Sequence, residues 1–250
     1  MEVVLRRGSQ RYVDSHTEGA THHSFAFGEH YDPANLGFGP MRAFDDHHLA
    51  WGAGFDSHKH SHVELVTWVL HGTLVHTDDH GTKVLLPAGS VQVQSAGSGI
   101  RHGEHAHVSG PPTRFVQTWL TPDEPDLPPA RFSAQGMDSD ALRPVAGEGA
   151  EVPVGTAGAT LWFGRLAPGT QHQLPVCESH HLFIASGQAR LLGASGQPDL
   201  DASDRGEGTL LDATDAVRIR DAEDVEMTLE VPGDAADPAE VLLWTFRAPA

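Results

Sequence analysis

Short runs of β-branched, aromatic and aliphatic residues, each cut off by glycine or proline, recur along nearly the whole chain. They fall at 63–70, 73–76, 84–86, 91–94 and 114–120, and again at 161–163, 181–184, 189–192, 217–219, 227–231 and 241–246. Runs of this length and composition suit buried or half-buried strands, and they do not alternate with helical patterns. The 27 glycines and 17 prolines supply the turns between them. Asp78, Asp79, His80 and Gly81 form one candidate hairpin turn, in which Gly81 can take a positive φ. The chain is therefore expected to be all-β, a sandwich or barrel rather than a doubly wound sheet.

Four prolines between 122 and 129 mark a linker near the midpoint, which predicts two domains, 1–125 and 126–250. A weak internal repeat agrees with the division: 68–75 can be laid over 183–190, bringing Gly72 over Gly187, and 85–93 over 210–219 with one gap. The formal net charge of −18 leaves no basic footprint for a phosphate backbone, so direct nucleic-acid binding is not expected. The acidic excess reads as a solvated surface. The apolar run at 63–70 is interrupted by Glu64 and Thr67 and falls far short of the roughly 20 residues a membrane helix needs. At the start of the chain Arg6 and Arg7 follow a short apolar run, the reverse of a signal peptide's order, and the single Cys177 allows no internal disulfide. A cytoplasmic location is expected.

Histidine is the informative residue. Of 18 in the chain, 15 lie in 1–125 and only His172, His180 and His181 in 126–250. His22, His23, His47 and His48 sit among polar, loop-like neighbours and are expected at the surface. His58, His60, His62 and Glu64 have the spacing at which a continuous strand projects its side chains to one face. If that face lines a barrel, a divalent metal would offset the penalty of burying so many ionisable groups. A second group, His102 and Glu104, has the same alternation on a separate strand, and the two strands can converge on one ion.

These residues carry a family resemblance. Gly52-x5-His58-x-His60-x3-Glu64-x7-Gly72 is similar to the first cupin motif, and Gly81-x5-Pro87-x-Gly89 to the start of the second. The runs His23-Ser-Phe-Ala-Phe27, Tyr31-Asp-Pro33, Leu36-Gly-Phe-Gly39 and Ser95-Ala-Gly-Ser-Gly-Ile-Arg-His102-Gly-Glu104 narrow the likeness to the pirin family of bicupins, over residues 20–125. The glycine after Glu64 comes one residue late for a general cupin, and no histidine stands two residues after Gly89; pirins share both departures. The resemblance implies two tandem cupin barrels and one iron held by His58, His60, His102 and Glu104. Three imidazoles and one carboxylate suit Fe(II) with coordination positions left open, although Zn, Mn, Ni, Co or Cu could take the same ligands. Glu64 is then expected to orient a histidine from behind, and His62 not to ligate. His105 and His107 are expected to be inert.

The second half lacks the pattern. Gln173, Pro175 and Ser179 stand where His58, His60 and Glu64 would fall, Asp212-Ala-Thr214 replaces Pro87-Ala-Gly89, and Cys177, Glu178, His180 and His181 are out of register. Its expected role is structural. The activity the resemblance implies is that of a quercetin 2,3-dioxygenase, an iron enzyme taking a small flavonol-like aromatic and dioxygen, with Glu104 also accepting the substrate's hydroxyl proton. Phe25, Phe27, Met41, Trp51 and Phe55 are candidate pocket walls. The alternative is a non-enzymatic, iron-dependent redox sensor that binds a transcription factor or metabolic enzyme.

Overall fold

The computed structural model describes residues 1–16, 18–193 and 208–247. Among them the regular elements are strands, apart from one 3-10 turn at Gly8–Gln10. The contacts divide the chain into two units, one of residues 11–137 and 151–157, the other of residues 1–10, 138–150 and 158 onward. Strand β1 (Glu2–Arg6) belongs to the second of these. The first unit holds β2 (Tyr12–His16), β3 (Gly19–His23), β4 (Met41–Leu49), β5 (Gly54–His60), β6 (Glu64–His71), β7 (Thr73–Asp78), β8 (Lys83–Pro87), β9 (Val91–Ser95), β10 (Ile100–Ala106), β11 (Thr113–Leu120) and β12 (Ala130–Ala134). The other holds β13 (Arg143–Gly147), β14 (Ala159–Leu166), β15 (Gln171–Gln173), β16 (Ser179–Ser186), β17 (Ala189–Leu192), β18 (Thr209–Leu211), β19 (Ala216–Arg220), β20 (Thr228–Glu230) and β21 (Ala239–Phe246).

Each unit is a pair of antiparallel sheets. In the first unit a seven-stranded sheet, β12-β9-β6-β11-β4-β3-β2, accompanies a four-stranded one, β5-β10-β7-β8. A six-stranded sheet, β1-β19-β16-β21-β14-β13, and a four-stranded one, β15-β20-β17-β18, make the second. The all-β, bicupin expectation stands. The sequence reading places its boundary at 125–126, whereas contacts carry residues 1–10 into the second unit. The reason is pairing: β1 lies antiparallel to β19, Glu2 opposite Arg220 through Arg6 opposite Ala216, and its Val3 is buried in that unit's core.

The sheet interiors differ in chemistry. In the first unit Leu49, Val69 and Phe115 of the large sheet meet Leu74, Leu86 and Ala106 of the small one. Two or more residues further along the same strands, on the same face, come Thr67, Gln117, His76, Glu104 and His102, all buried. In the second unit Leu182, Ile184, Ala189, Leu191, Val241 and Leu243 pack together in an apolar core, with the buried His180 and Thr245 two residues further along β16 and β21.

The internal repeat is visible as matching hairpins. Gly72 joins β6 to β7 and Gly187 joins β16 to β17, both at φ 73°. A Cβ on Gly72 would lie 2.6 Å from the Pro112 carbonyl oxygen, and one on Gly187 2.6 Å from that of Pro238. Left-handed backbone and close approach thus both demand glycine. Gly72→Ala or Gly187→Ala is expected to lower unfolding free energy by about 1–3 kcal/mol, read as a shifted urea midpoint. An unchanged midpoint in both variants would contradict this account.

Candidate metal centre

Strand pairing in the small sheet builds the site. Strand β10 runs between β5 and β7, and its register against β5 sets His102 opposite His58 and Ile100 opposite His60. Between His102 and Glu104 the pairing slips, because β5 spends three residues where β10 spends two, so Glu104 faces Phe55. Against β7 the register is regular, with His102 opposite Asp78 and Glu104 opposite His76.

This geometry gathers His58, His60 and His102, whose ligand atoms lie within 4.8 Å of one another. The Nε2 atoms of His58 and His102 are 3.1 Å apart. That is the spacing of two neighbouring ligands on one ion with metal–nitrogen bonds of about 2.0–2.1 Å. The Nδ1 of His58 lies 2.7 Å from the Asp56 carbonyl oxygen, to which it can donate, leaving the Nε2 lone pair facing inward. Glu104 belongs to a second set, with His102 and His76, again within 4.8 Å. Buried atoms without a hydrogen-bond partner include His60 Nε2, His76 Nε2, His102 Nδ1 and Glu104 Oε1. Four such orphans close together are costly unless something joins them, and a divalent cation fits their donor chemistry.

Side chains behind the ligands fix Glu104. Gln117 Nε2 donates to Glu104 Oε2 at 2.7 Å and to Thr67 Oγ1 at 3.2 Å, while Trp119 Nε1 donates to Gln117 Oε1 at 3.0 Å. Burial alone would raise the Glu104 pKa, but the nearby His76 and His102 rings and the Gln117 hydrogen bond lower it to about 2. His60 is pushed down to about 4 by burial, with the neighbouring His102 and His58 adding to the shift. The Trp119 indole stands edge-to-face with the His60 ring at 4.9 Å. In front of these rings opens a cavity of about 570 Å³, lined by His58, His60, Trp119 and Leu120, with Arg42 and Lys59 as its cations and no carboxylate among its lining residues.

Several expectations need correction. His62 and Glu64 do not continue the face of His58 and His60, because β5 ends at His60, β6 begins at Glu64, and His62 sits at the corner with φ 59°. His62 points out toward Asp126, 3.1 Å away. Glu64 orients no histidine: its Oε2 accepts from Ser95 Oγ at 2.8 Å and from the Gly155 amide at 3.0 Å, tying down 151–157. Phe25 and Met41 are core, Trp51 is exposed with its indole N–H on the Gly110 carbonyl, and Phe55 packs on His47. Trp119, which the sequence reading did not single out, is the aromatic wall. Nor are His23 and His47 surface residues. His23 is buried between Asp45 and Asp14, at 2.9 and 3.2 Å, and His47 is buried against Thr21 and stacked on Phe115. His105 pairs with Asp56 at 3.3 Å, and His107 turns back on Ser109. In the second unit His180 Nε2 lies 2.8 Å from the Pro175 carbonyl oxygen and Cys177 Sγ 3.1 Å from that of Phe246.

The Pirin family model matches residues 6–120. A protein of Mycobacterium tuberculosis, provisionally named quercetin 2,3-dioxygenase, is 35% identical over 98% of this chain and 96% of its own length. The chain belongs to the pirin family. The quercetin 2,3-dioxygenase of Escherichia coli K12 is 36% identical over 55% of this chain and 59% of its own. Among solved structures, the bacterial pirin YhhW of Escherichia coli in complex with nickel(II) superposes with a TM-score of 0.84 at 24% identity, covering 99% of this chain and 100% of its own. The pirin fold thus extends over both units, and no helix among the described residues is long and apolar enough to cross a membrane.

The depressed histidines make metal-free stability pH-dependent. Unfolded His60 takes a proton near its ordinary value of 6.5 but folded His60 only near 4, so between these values the unfolded chain binds more protons. Stability is then fully present above the unfolded pKa and falls as the pH drops toward 4; His102 and His47, also lowered by burial, act in the same sense. In the metal-free protein, His60→Asn is expected to flatten the urea-melting profile between pH 7 and 4 by roughly 1–3 kcal/mol. Identical profiles would assign the pH dependence to other groups.

Proposed function

We propose that the chain is an iron(II)-dependent dioxygenase that opens the ring of a flavonol such as quercetin. The observation that carries this reading is the convergence of His58, His60 and His102, the first two of which line an open cavity, with a charged Glu104 behind them. Three imidazoles and this carboxylate are the proposed ligands. Zn, Mn, Ni, Co or Cu suits the same donors, and the nickel complex of the Escherichia coli pirin is consistent with a divalent ion here.

Bound iron would supply a Lewis acid for the substrate's adjacent hydroxyl and carbonyl oxygens and a redox partner for dioxygen. The chain's own groups do the rest. Glu104, ionised at neutral pH and with Oε1 unpartnered, accepts the hydroxyl proton, while Gln117 holds its other oxygen in place. Trp119 and Leu120 present an apolar wall to a planar ring, and Arg42 and Lys59 favour a substrate that has lost a proton. A cytoplasmic setting suits a chain whose one cysteine, Cys177, is reduced and buried.

Protein loaded anaerobically with one Fe(II) is expected to consume dioxygen with quercetin and release a ring-opened ester and carbon monoxide. His58→Ala and His102→Ala should lose oxygen uptake and hold Fe(II) far more weakly. Glu104→Gln should slow turnover by about 10²–10⁴ through loss of the proton acceptor. Turnover by metal-free protein, or none by protein shown to hold iron, would overturn the proposal.

A further inference from the structure

We propose that His76, His102 and Glu104 form a second, inner position for a divalent first-row cation, distinct from the outer, iron position proposed for His58, His60, His102 and Glu104 and sharing His102 and Glu104 with it. The inference rests on reading the cluster as metal-binding, and it concerns where in the barrel an ion can sit.

The three side chains come together through strand register. His76 stands opposite Glu104 across the β7–β10 pair, and its ring centroid lies 5.2 Å from that of His102. All three are buried, and their ligand atoms lie within 4.8 Å of one another. His76 Nε2, His102 Nδ1 and Glu104 Oε1 each lack a hydrogen-bond partner. The outer histidines do not account for His76, which is absent from the set containing His58 and His60.

The internal repeat sharpens the point. Laying Gly72 over Gly187 brings His76 over Leu191, and Leu191 is buried in the apolar core of its own unit. A strand position that packs leucine in one barrel carries a fully buried imidazole in the other. Burying that ring with Nε2 unpaired works against folding unless a partner is supplied, and a cation between Nε2 and the Glu104 carboxylate supplies one.

The surroundings suit ligation. Gln92 places its side-chain amide 3.2 Å from His76 Nδ1, and its Oε1 has no partner in the assigned orientation. Turning that amide over lets Oε1 accept from Nδ1–H, which leaves the Nε2 lone pair directed at the ion, the usual support of a metal-bound histidine. Asp78 Oδ2, 3.9 Å from His76 Nε2, adds a second negative charge beside the position. The donor set is two nitrogens and a carboxylate oxygen, which suits Co(II), Zn(II) or Cu(II) more than Mg(II). His76 is wholly buried and does not line the cavity, so an ion held here is withdrawn from substrate.

Metal-free protein is titrated with Co(II) against a chromophoric chelator, comparing wild type, the double variant His58→Ala/His60→Ala, and that double variant with His76→Gln added. The double variant is expected to keep one Co(II), bound about 10–1,000-fold more weakly than in wild type, and the added His76→Gln should weaken it at least tenfold further, on the scale of a lost ligand or its support. With Cu(II), pulsed electron paramagnetic resonance of the double variant should show two coordinated imidazoles, falling to one with His76→Gln. His76→Leu, the residue the other barrel uses, serves as a replacement expected to fold and should remove the cobalt site equally. A double variant that binds no Co(II), or binds it with the same affinity and imidazole count whichever residue stands at 76, would overturn the inner position. Wild type that binds Co(II) while the double variant does not would sink this inference and leave the outer site standing; wild type that binds none would sink both.

Discussion

Everything at the candidate metal centre depends on the lateral placement of one strand. Strand β10 is hydrogen-bonded on both sides, and each ladder delivers a different partner: His58 to His102 from β5, and His76 to Glu104 from β7. The slip against β5 lets the two ladders disagree by one residue, so histidines cluster at one level and the carboxylate is set back from them. Shifting β10 by one residue would turn His102 and Glu104 to the other face and disperse every ligand at once. The imidazoles and carboxylate are held by backbone pairing that is itself indifferent to metal.

The two barrels show what such a site replaces. The core of the second unit is built mainly from aliphatic side chains, whose burial contributes about 25 cal/mol per Å² of apolar surface. The first gives up part of that gain to Thr67, Gln92, Gln117 and the ionisable cluster. Gln117 is the hinge between the two demands, because one amide satisfies Trp119, Thr67 and Glu104 together. A buried polar network of this kind is tolerable only when nearly every member is paired, and within this cluster His60 Nε2, His76 Nε2, His102 Nδ1 and Glu104 Oε1 are left for a cation to join.

The all-β class and turn glycines such as Gly81 were legible in the sequence because strand periodicity and glycine punctuation are local signals, whereas β1–β4, β12 and β13 fell outside the runs read as strands. That His58 shares a face with His60, and His102 with Glu104, was legible because each pair lies on one strand, where alternation fixes the face. His62 and Glu64 were misread for the same reason in reverse: the alternation continues in the letters past His60, while the backbone turns a corner at 61–63. His76 carried a weaker signal, a lone histidine in an otherwise apolar run, and only the overlay on Leu191 marks its place as interior. Trp119 and Gln117 gave none, since their role comes from β11 lying next to β6 in the large sheet. The pairing of β1 with β19 was beyond reach, because nothing in a five-residue strand names a partner 218 residues away.

That last pairing bears on how the protein is made. The chain enters the second unit with β1, leaves it for 11–137, returns for 138–150, leaves again for 151–157 and ends in it. Neither unit is therefore a continuous stretch that a ribosome could release to fold in one piece. Residues 2–6 are synthesised long before 216–220 exist to receive them, and until then the apolar Val3, Val4 and Leu5 have an open strand edge and no ladder. Contacts of such sequence separation slow folding and leave the unpaired strand open to association while it waits.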